Sequence, residues 1–312
     1  VTGNYPALVK TPSGVNVLLL ESDLQDYPCL WLEKGNRDLR AHFWNYPKTY
    51  NVKGNSKNRR QILTCENYIA KTSGKRTFPW RVFAIASEDK DLLNNQLVYQ
   101  LAPKCQIETP SWIKPGWVTF DWWARRGLYN VDFKAGINTE TAKYMIDFAS
   151  HFGVRYFLFD DGWTYKEELT RTIDGLNMKE VVDYATSKGV DVMLWVTYDL
   201  FDSQMEAALA KFSEWGIKGL KIDFINRSDQ EASNFYWKAA KKAAEYKMVL
   251  DFHGAYRPDG LRRAYPNVLT REALVEFEQN GGTYKDNPDN RCMLPFIRNV
   301  AGPMDYIPGT LN

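Results

Sequence analysis

The sequence predicts an α/β protein: a (β/α)8 TIM-type barrel preceded by part of a β-sandwich, with the barrel incomplete at its C-terminal end. Three observations predict it. Beyond about residue 110, apolar strand-like runs alternate with amphipathic helical runs, the pattern of parallel βα units. Those strands carry polar residues mainly at their C-terminal ends: Asp121, Asp160, Asp161, Asp199, Asp223, His253 and Glu272. An open doubly wound sheet would gather its site at one switch point, whereas a barrel brings every strand end to one mouth. Before residue 110 the chain instead shows short β segments divided by turn residues, with few helical stretches.

The elements follow in order. Residues 1–110 are assigned to the partial β-sandwich. "GVNVLLLES" alternates and then runs apolar, "RTFPWRVFAIAS" reads as a strand pair, and "EDKDLLNN" as a short helix. Residues 111–312 are assigned to the barrel, opening at "TPSWIKPGW". "WVTFDWW" is a strand and "TETAKYMIDFASHFG" a helix, with Met145, Phe148, Ala149 and Phe152 on its inner face and Gly153 as its stop. Strands "VRYFLFDDGW", "VDVMLWVTYD", "IKGLKIDF", "MVLDFHG" and "NVLTRE" alternate with helices "MKEVVDYATSKG", "SQMEAALAKFSEWG" and "QEASNFYWKAAKKAAEYK". "RCMLPFIRNV" is read as a helix leading to a last strand, "GPMDYIP". That makes seven barrel strands, so an eighth strand and its helix are expected beyond the sequence given.

Composition narrows the function. With 40 basic and 38 acidic residues the formal charge is +2, which argues against nucleic acid or an anionic membrane as the main partner. No stretch approaches the roughly 20 apolar residues of a spanning helix. "VTGNYPALVK" does not read as a signal peptide, and a mature secreted chain would look the same. Cys29, Cys65, Cys105 and Cys292 form no CxxC pair, and the only histidines are His42, His151 and His253, which disfavours a Cys/His zinc site. The 11 Trp, 18 Tyr and 16 Phe suit either a sugar-binding cleft or a large core.

Five patterns carry chemistry. In "GLKIDF", Lys221 and Asp223 flank Ile222 and point to one face. They are either a structural salt bridge or a nucleophilic carboxylate with its electrostatic partner. "TREALVEFEQN" carries Glu272, Glu276 and Glu278. These are either an acidic helix start, a proton donor with its neighbours, or the ligands of a hard cation such as calcium. In "FDDGW", Asp160 and Asp161 are either a turn or acceptors for sugar hydroxyls, and Trp163 beside them favours sugar recognition. Glu21 in "ESDLQDYP" and His253 in "DFHG" read individually as a turn acid and a structural histidine.

Taken together and in this order, "ESDLQDYP", "FPWRVFAIA", "KPGW", "FDWW", "FDDGW", "GLKIDF", "TREALVEFE" and "MDYIPG" resemble glycoside hydrolase family 97 over nearly the whole chain. The resemblance implies a β-sandwich packed on a (β/α)8 barrel, and a further C-terminal β domain with no counterpart here. The family has an inverting α-glucosidase branch, with a glutamate base beside a late-barrel histidine, and a retaining α-galactosidase branch, with an aspartate nucleophile on the fourth strand. Here the fourth strand carries Asp223, and His253 is followed by Gly254 instead of glutamate. The sequence therefore resembles the retaining branch.

By that resemblance Asp223 is the nucleophile and Glu278 the acid/base. Glu21, Glu272 and Glu278 would hold Ca2+. Asp160, Asp161, Lys221, Trp122 and His253 would contact an α-galactoside oligosaccharide or polysaccharide. The chain departs from the family pattern at Glu276, where a small residue is expected. The alternatives are an inverting α-glucosidase of the same family and a non-catalytic sugar-binding protein of the same fold. A periplasmic or secreted location fits the resemblance.

Overall fold

The computed structural model describes residues 2–52, 60–122, 126–272, 274 and 288–307. Its N-terminal region holds β1 (Thr2–Asn4), β2 (Ala7–Lys10), β3 (Asn16–Ser22), β4 (Trp31–Lys34), β5 (Leu39–His42), β6 (Pro47–Val52), β7 (Arg60–Cys65) and β8 (Trp80–Ala86). They form three small antiparallel sheets, ordered β1-β4-β5, β2-β3-β8 and β6-β7. The region expected to form a partial sandwich thus consists of separate small sheets. Two short helices follow, α1 (Asp89–Leu92) and α2 (Leu97–Leu101). The first matches "EDKDLLNN". The second has no such charged pattern and was not predicted; its Val98 packs under Leu18 and Leu20 of β3 in a small apolar core.

The second region alternates as predicted: β9 (Val118–Phe120), α3 (Thr139–His151), β10 (Tyr156–Phe159), a β11–β12 hairpin (Thr164–Tyr165 and Glu168–Thr172), α4 (Met178–Ser187), β13 (Asp191–Thr197), α5 (Tyr198–Trp215), β14 (Gly219–Asp223), α6 (Gln230–Glu245), β15 (Val249–Phe252), α7 (Leu261–Ala264) and β16 (Val268–Arg271). Six strands pair in parallel in the order β16-β15-β14-β13-β10-β9 and curl into half a barrel. Among the described residues the predicted seventh strand amounts to one parallel bridge, Arg271 to Met304. "RCMLPFIRNV" forms no continuous helix: Pro295 lies in a 3-10 turn between α8 (Pro288–Met293) and α9 (Arg298–Ala301). A proline ring there obstructs a continuous α-helix.

The starts of α3, α4 and α6 are fixed by side-chain caps. Asn138 accepts from Thr141 N, Asn177 from Glu180 N, and Asp229 from Glu231 N and Ala232 N. Gly216, at φ +91°, ends α5 in the left-handed conformation that a Cβ would strain. The helices cover the outer face of the sheet in one core running from Phe157 and Leu194 to Phe212 and Tyr236. The predicted inner face of α3 needs correction. Ala142, Ile146 and Ala149 are the buried apolar residues, with Met145 packed at the edge, while Phe148 and Phe152 are exposed and pack on each other at 4.7 Å. The buried stripe thus shares Ala149 and Met145 with the predicted face but turns toward Ala142 and Ile146.

Trp237 Nε1 donates to Leu24 O at 2.7 Å, and Gln230 Nε2 to Asp26 O at 2.9 Å, so α6 anchors the loop that follows β3. All four cysteines are free, Cys29 buried and the others exposed. Among the described residues no helix is long and apolar enough to cross a membrane.

Candidate active site

Strand alternation and parallel register assemble the site. Side chains two apart share a face. Register aligns Trp195 with Lys221, Lys221 with Asp251, and Asp251 with Thr270. One step nearer the strand ends, Thr197 aligns with Asp223. His253 and Glu272 follow Asp251 and Thr270 by two residues. Two rows of polar groups thus cross the inward face at the C-terminal edge of the sheet, as expected for a barrel mouth.

Asp223 is the last residue of β14 and only partly buried. Its Oδ2 accepts from Trp195 Nε1 at 3.0 Å and its Oδ1 from Phe224 N at 2.6 Å. Two N–H donors on a β-strand frame leave the carboxylate little freedom to rotate. The sequence had offered Lys221 as its ion-pair partner, and the structure corrects this. Lys221, 5% exposed, donates to Asp160 Oδ2 at 3.2 Å and stands 4.5 Å from the Phe120 ring centre. Burial acts to lower the Lys221 pKa, but Asp160, then Asp223, Asp251 and Asp305, outweigh it and hold the pKa above its ordinary value. Lys221 is a buried cation beneath several acids, with Asp160 as its direct partner.

Asp160 is itself fully engaged. Its Oδ1 accepts from Asp161 N at 2.8 Å, and its backbone N donates to Asp121 Oδ1 at 3.0 Å. Arg126 Nε pairs with Asp121 Oδ2 at 2.9 Å, and Nη2 of the same guanidinium donates to Asp161 O. Asp160 therefore anchors Lys221, and Asp161 is the less buried of the two. Trp122 is 38% exposed, with the Arg126 guanidinium 5.4 Å from its ring. Trp163 does not support the recognition reading: it is fully buried, donates to Trp195 O at 2.8 Å, and packs on Phe212 and Trp215.

His253 sits between three acids. Its Nε2 lies 2.7 Å from Asp305 Oδ2 and 3.2 Å from Asp251 Oδ2, and its Nδ1 lies 3.8 Å from Glu272 Oε2. Burial disfavours the charged ring, yet Asp251, aided by Asp305, holds its pKa well above 6.5. The Asp251 carboxyl is pulled down by His253 against burial, whereas burial and Asp251 together push Asp305 up. Among the described residues, Asp251, His253 and Asp305 are the one group close enough to share a metal ion. The neighbouring Lys221 cation opposes the charge on the ring, and the two aspartates outweigh it. Glu272 accepts from Gly254 N at 2.7 Å, and burial raises its pKa despite His253.

Glu21 is fully buried and faces two guanidiniums: Arg257 Nη2 at Oε2, and Arg81 Nη1 at Oε1 at 2.6 Å. Glu276 and Glu278 lie outside the described residues. The structure thus brings Asp223, Lys221, His253 and Glu272 together and sets Glu21 in an arginine cluster.

Sequence reasoning gave no role to Trp195, Asp251 or Asp305. Asp251 was findable, since "DFH" places it on the face of His253. Asp305 was not, because it enters by a single bridge instead of a strand. Arg298, also missed, donates from Nη2 to Arg271 O at 2.7 Å and Glu272 O at 3.1 Å, and from Nη1 to Gly302 O at 2.8 Å. It ties the Glu272 backbone to the segment that carries Asp305. Burial and the nearby Arg271 pull its pKa down to about 9.

Comparison with known proteins gives a consistent set. A family model described as glycoside hydrolase 97 matches residues 122–274, and one described as glycosyl-hydrolase 97 N-terminal matches residues 2–103. A Bacteroides thetaiotaomicron protein described as a retaining alpha-galactosidase is 40% identical over 312 residues, covering 98% of this chain and 47% of that protein. A Streptomyces bingchenggensis protein described as a probable retaining alpha-galactosidase is 28% identical over 248 residues, covering 77% of this chain and 37% of that one. The chain spans less than half the length of either curated relative. The solved structure of a glycoside hydrolase family 97 enzyme from Pseudoalteromonas sp. in complex with acarbose matches with a TM-score of 0.82 at 24% identity, covering 98% of this chain and 49% of that one. At that identity the match establishes the fold alone.

Proposed function

Because this chain belongs to glycoside hydrolase family 97, we propose that it is the catalytic part of a retaining exo-α-galactosidase. The observation that carries the reading is the end of β14. Asp223 is held by Trp195 and Phe224 at the sheet's C-terminal edge, and Gly254 stands where an inverting enzyme would have its base. Asp223 attacks the anomeric carbon of a terminal α-galactoside. Glu278 gives a proton to the departing oxygen, and a β-galactosyl ester forms on Asp223. Glu278 then takes a proton from water, which opens the ester and releases α-galactose. Lys221 and His253 balance the carboxylates that face the sugar, and Asp161 and Trp122 are the proposed contacts to its hydroxyls and ring face.

The direct test is hydrolysis of nitrophenyl α-galactoside against nitrophenyl α-glucoside by the full-length protein. Preference for the galactoside by at least about 100-fold, roughly 2.7 kcal/mol in the transition state, is expected. Preference for the glucoside would favour the inverting reading. Inertness toward both would favour a sugar-binding protein.

Calcium is part of the proposal through the resemblance. Glu272 fits such an ion: it is a carboxylate whose pKa burial has raised, and a divalent cation would reverse that cost. Glu21 does not fit, since its two oxygens already face Arg257 and Arg81. Glu272 and Glu278 are therefore the proposed ligands. The ion would supply a fixed positive charge that orients a sugar hydroxyl. Stripping metal with a chelator should lower kcat at least about 10-fold, and added calcium should restore it. Full activity after verified metal removal would discard calcium.

A further inference from the structure

We propose that Gly254 is a positioning residue whose backbone ties the turn carrying Asp223 to Glu272, and whose missing side chain is what allows that turn to be there. The inference rests on the retaining reading and goes beyond the lack of a base at this position.

A single residue bridges three strand ends. Gly254 N donates to Glu272 Oε2 at 2.7 Å, beyond β16. Gly254 O accepts from Asn226 N at 2.7 Å, in the turn beyond β14. The preceding amide, His253 N, donates to Ile222 O at 2.8 Å within β14. The elements bearing Asp223 and Glu272 are therefore fixed to each other through residue 254, independently of any side chain at that position.

The geometry favours glycine on two counts. Gly254 has φ +53°, in the left-handed region. A Cβ built there would lie 2.8 Å from Asn226 Oδ1 and 3.1 Å from both N and Cα of Phe224. The Asn226 side chain can swing away, but the Phe224 backbone cannot without moving the nucleophile. Phe224 N is the donor to Asp223 Oδ1 at 2.6 Å, and Phe224 and Asn226 themselves hold φ +60° and +42°. Two residues other than glycine in that region make a turn that persists only where its surroundings over-determine it. A side chain at 254 thus presses on the atom that orients the attacking carboxylate. A side chain at residue 254 competes with this nucleophile turn for the same space, so exchanging residue 254 alone should not convert one mechanism into the other.

The test compares wild type, Gly254→Ala and Gly254→Glu in the full-length protein on nitrophenyl α-galactoside. Gly254→Ala should lower kcat at least about 100-fold, the scale of a misplacement near 1 Å, with KM changed by less than about threefold. Pre-steady-state nitrophenol release should slow by the same factor, which a loss of folded protein would not produce. Gly254→Glu should be inactive and should yield no β-galactose. A Gly254→Ala enzyme within about threefold of wild-type kcat overturns the inference, as does a Gly254→Glu enzyme that inverts.

If Gly254→Ala does not fold, amide hydrogen exchange on the wild type decides. Protected Gly254 and Asn226 amides support the bridge, and exchange as fast as in open loops removes it. The product anomer of the wild type keeps the two readings apart. An inverting wild type discards both, whereas a retaining wild type with an unimpaired Gly254→Ala discards only the role of Gly254.

Discussion

Asp223→Ala should lose at least about four orders of magnitude in kcat on nitrophenyl α-galactoside, the scale on which nucleophiles in covalent catalysis fail when removed. The structure explains why little should compensate. The carboxylate ends a central strand of the six-stranded sheet and is fixed by Trp195 Nε1 and Phe224 N. Among the described residues the nearest acids along the same rows, Asp251 and Glu272, are bound to His253 and Gly254 N. Azide supplied in place of the missing carboxylate should restore part of the rate and give β-galactosyl azide. Folding should be nearly unaffected, because Asp223 is only partly buried and makes no ion pair within hydrogen-bonding reach among the described residues. Residual activity above about one-tenth of wild type would remove Asp223 as the nucleophile.

Lys221→Met should be the most damaging change to stability, at about 3–5 kcal/mol, the cost of breaking a buried ion pair from one side. The methionine fills the space and leaves Asp160 buried opposite an apolar chain. Lys221 also faces Asp223, Asp251 and Asp305, so its loss uncovers mutual repulsion across the whole mouth. The sign of the pH effect follows. In the folded wild type the acids hold the Lys221 pKa above its ordinary value, so its contribution is fully present below the unfolded lysine pKa and is lost as pH rises through the folded one. The variant's deficit should therefore persist through neutral pH and shrink only in strongly alkaline solution. Urea denaturation at several pH values measures this. A deficit below about 1 kcal/mol at all pH values would mean that Lys221 does not carry the charge balance.

The sequence made the order of strands and helices legible, because buried parallel strands and amphipathic helices differ in period. The Lys221–Asp223 and Asp251–His253 faces follow from strand alternation alone. Register does not: nothing in "GLKIDF" tells that Lys221 turns to Asp160 just beyond β10 while Asp223 turns to Trp195 on β13. Trp163 misled for the same reason. An Asp-Asp-Gly-Trp turn looks like a sugar platform until the outer core takes the ring. Glu21 could be assigned as a ligand only by resemblance, and Arg257, brought in from 236 residues away, changes its surroundings. Asp305 and Arg298 were unreadable because they act from irregular segments, where side-chain direction has no period.

Proton NMR of nitrophenyl α-galactoside cleavage, recorded in the first minutes before the anomers equilibrate, tests the double displacement through Asp223 most directly. α-Galactose appearing first is the expected result, because two inversions at the anomeric carbon restore its configuration. β-Galactose appearing first would mean a single displacement by water, and Asp223 would not be the nucleophile.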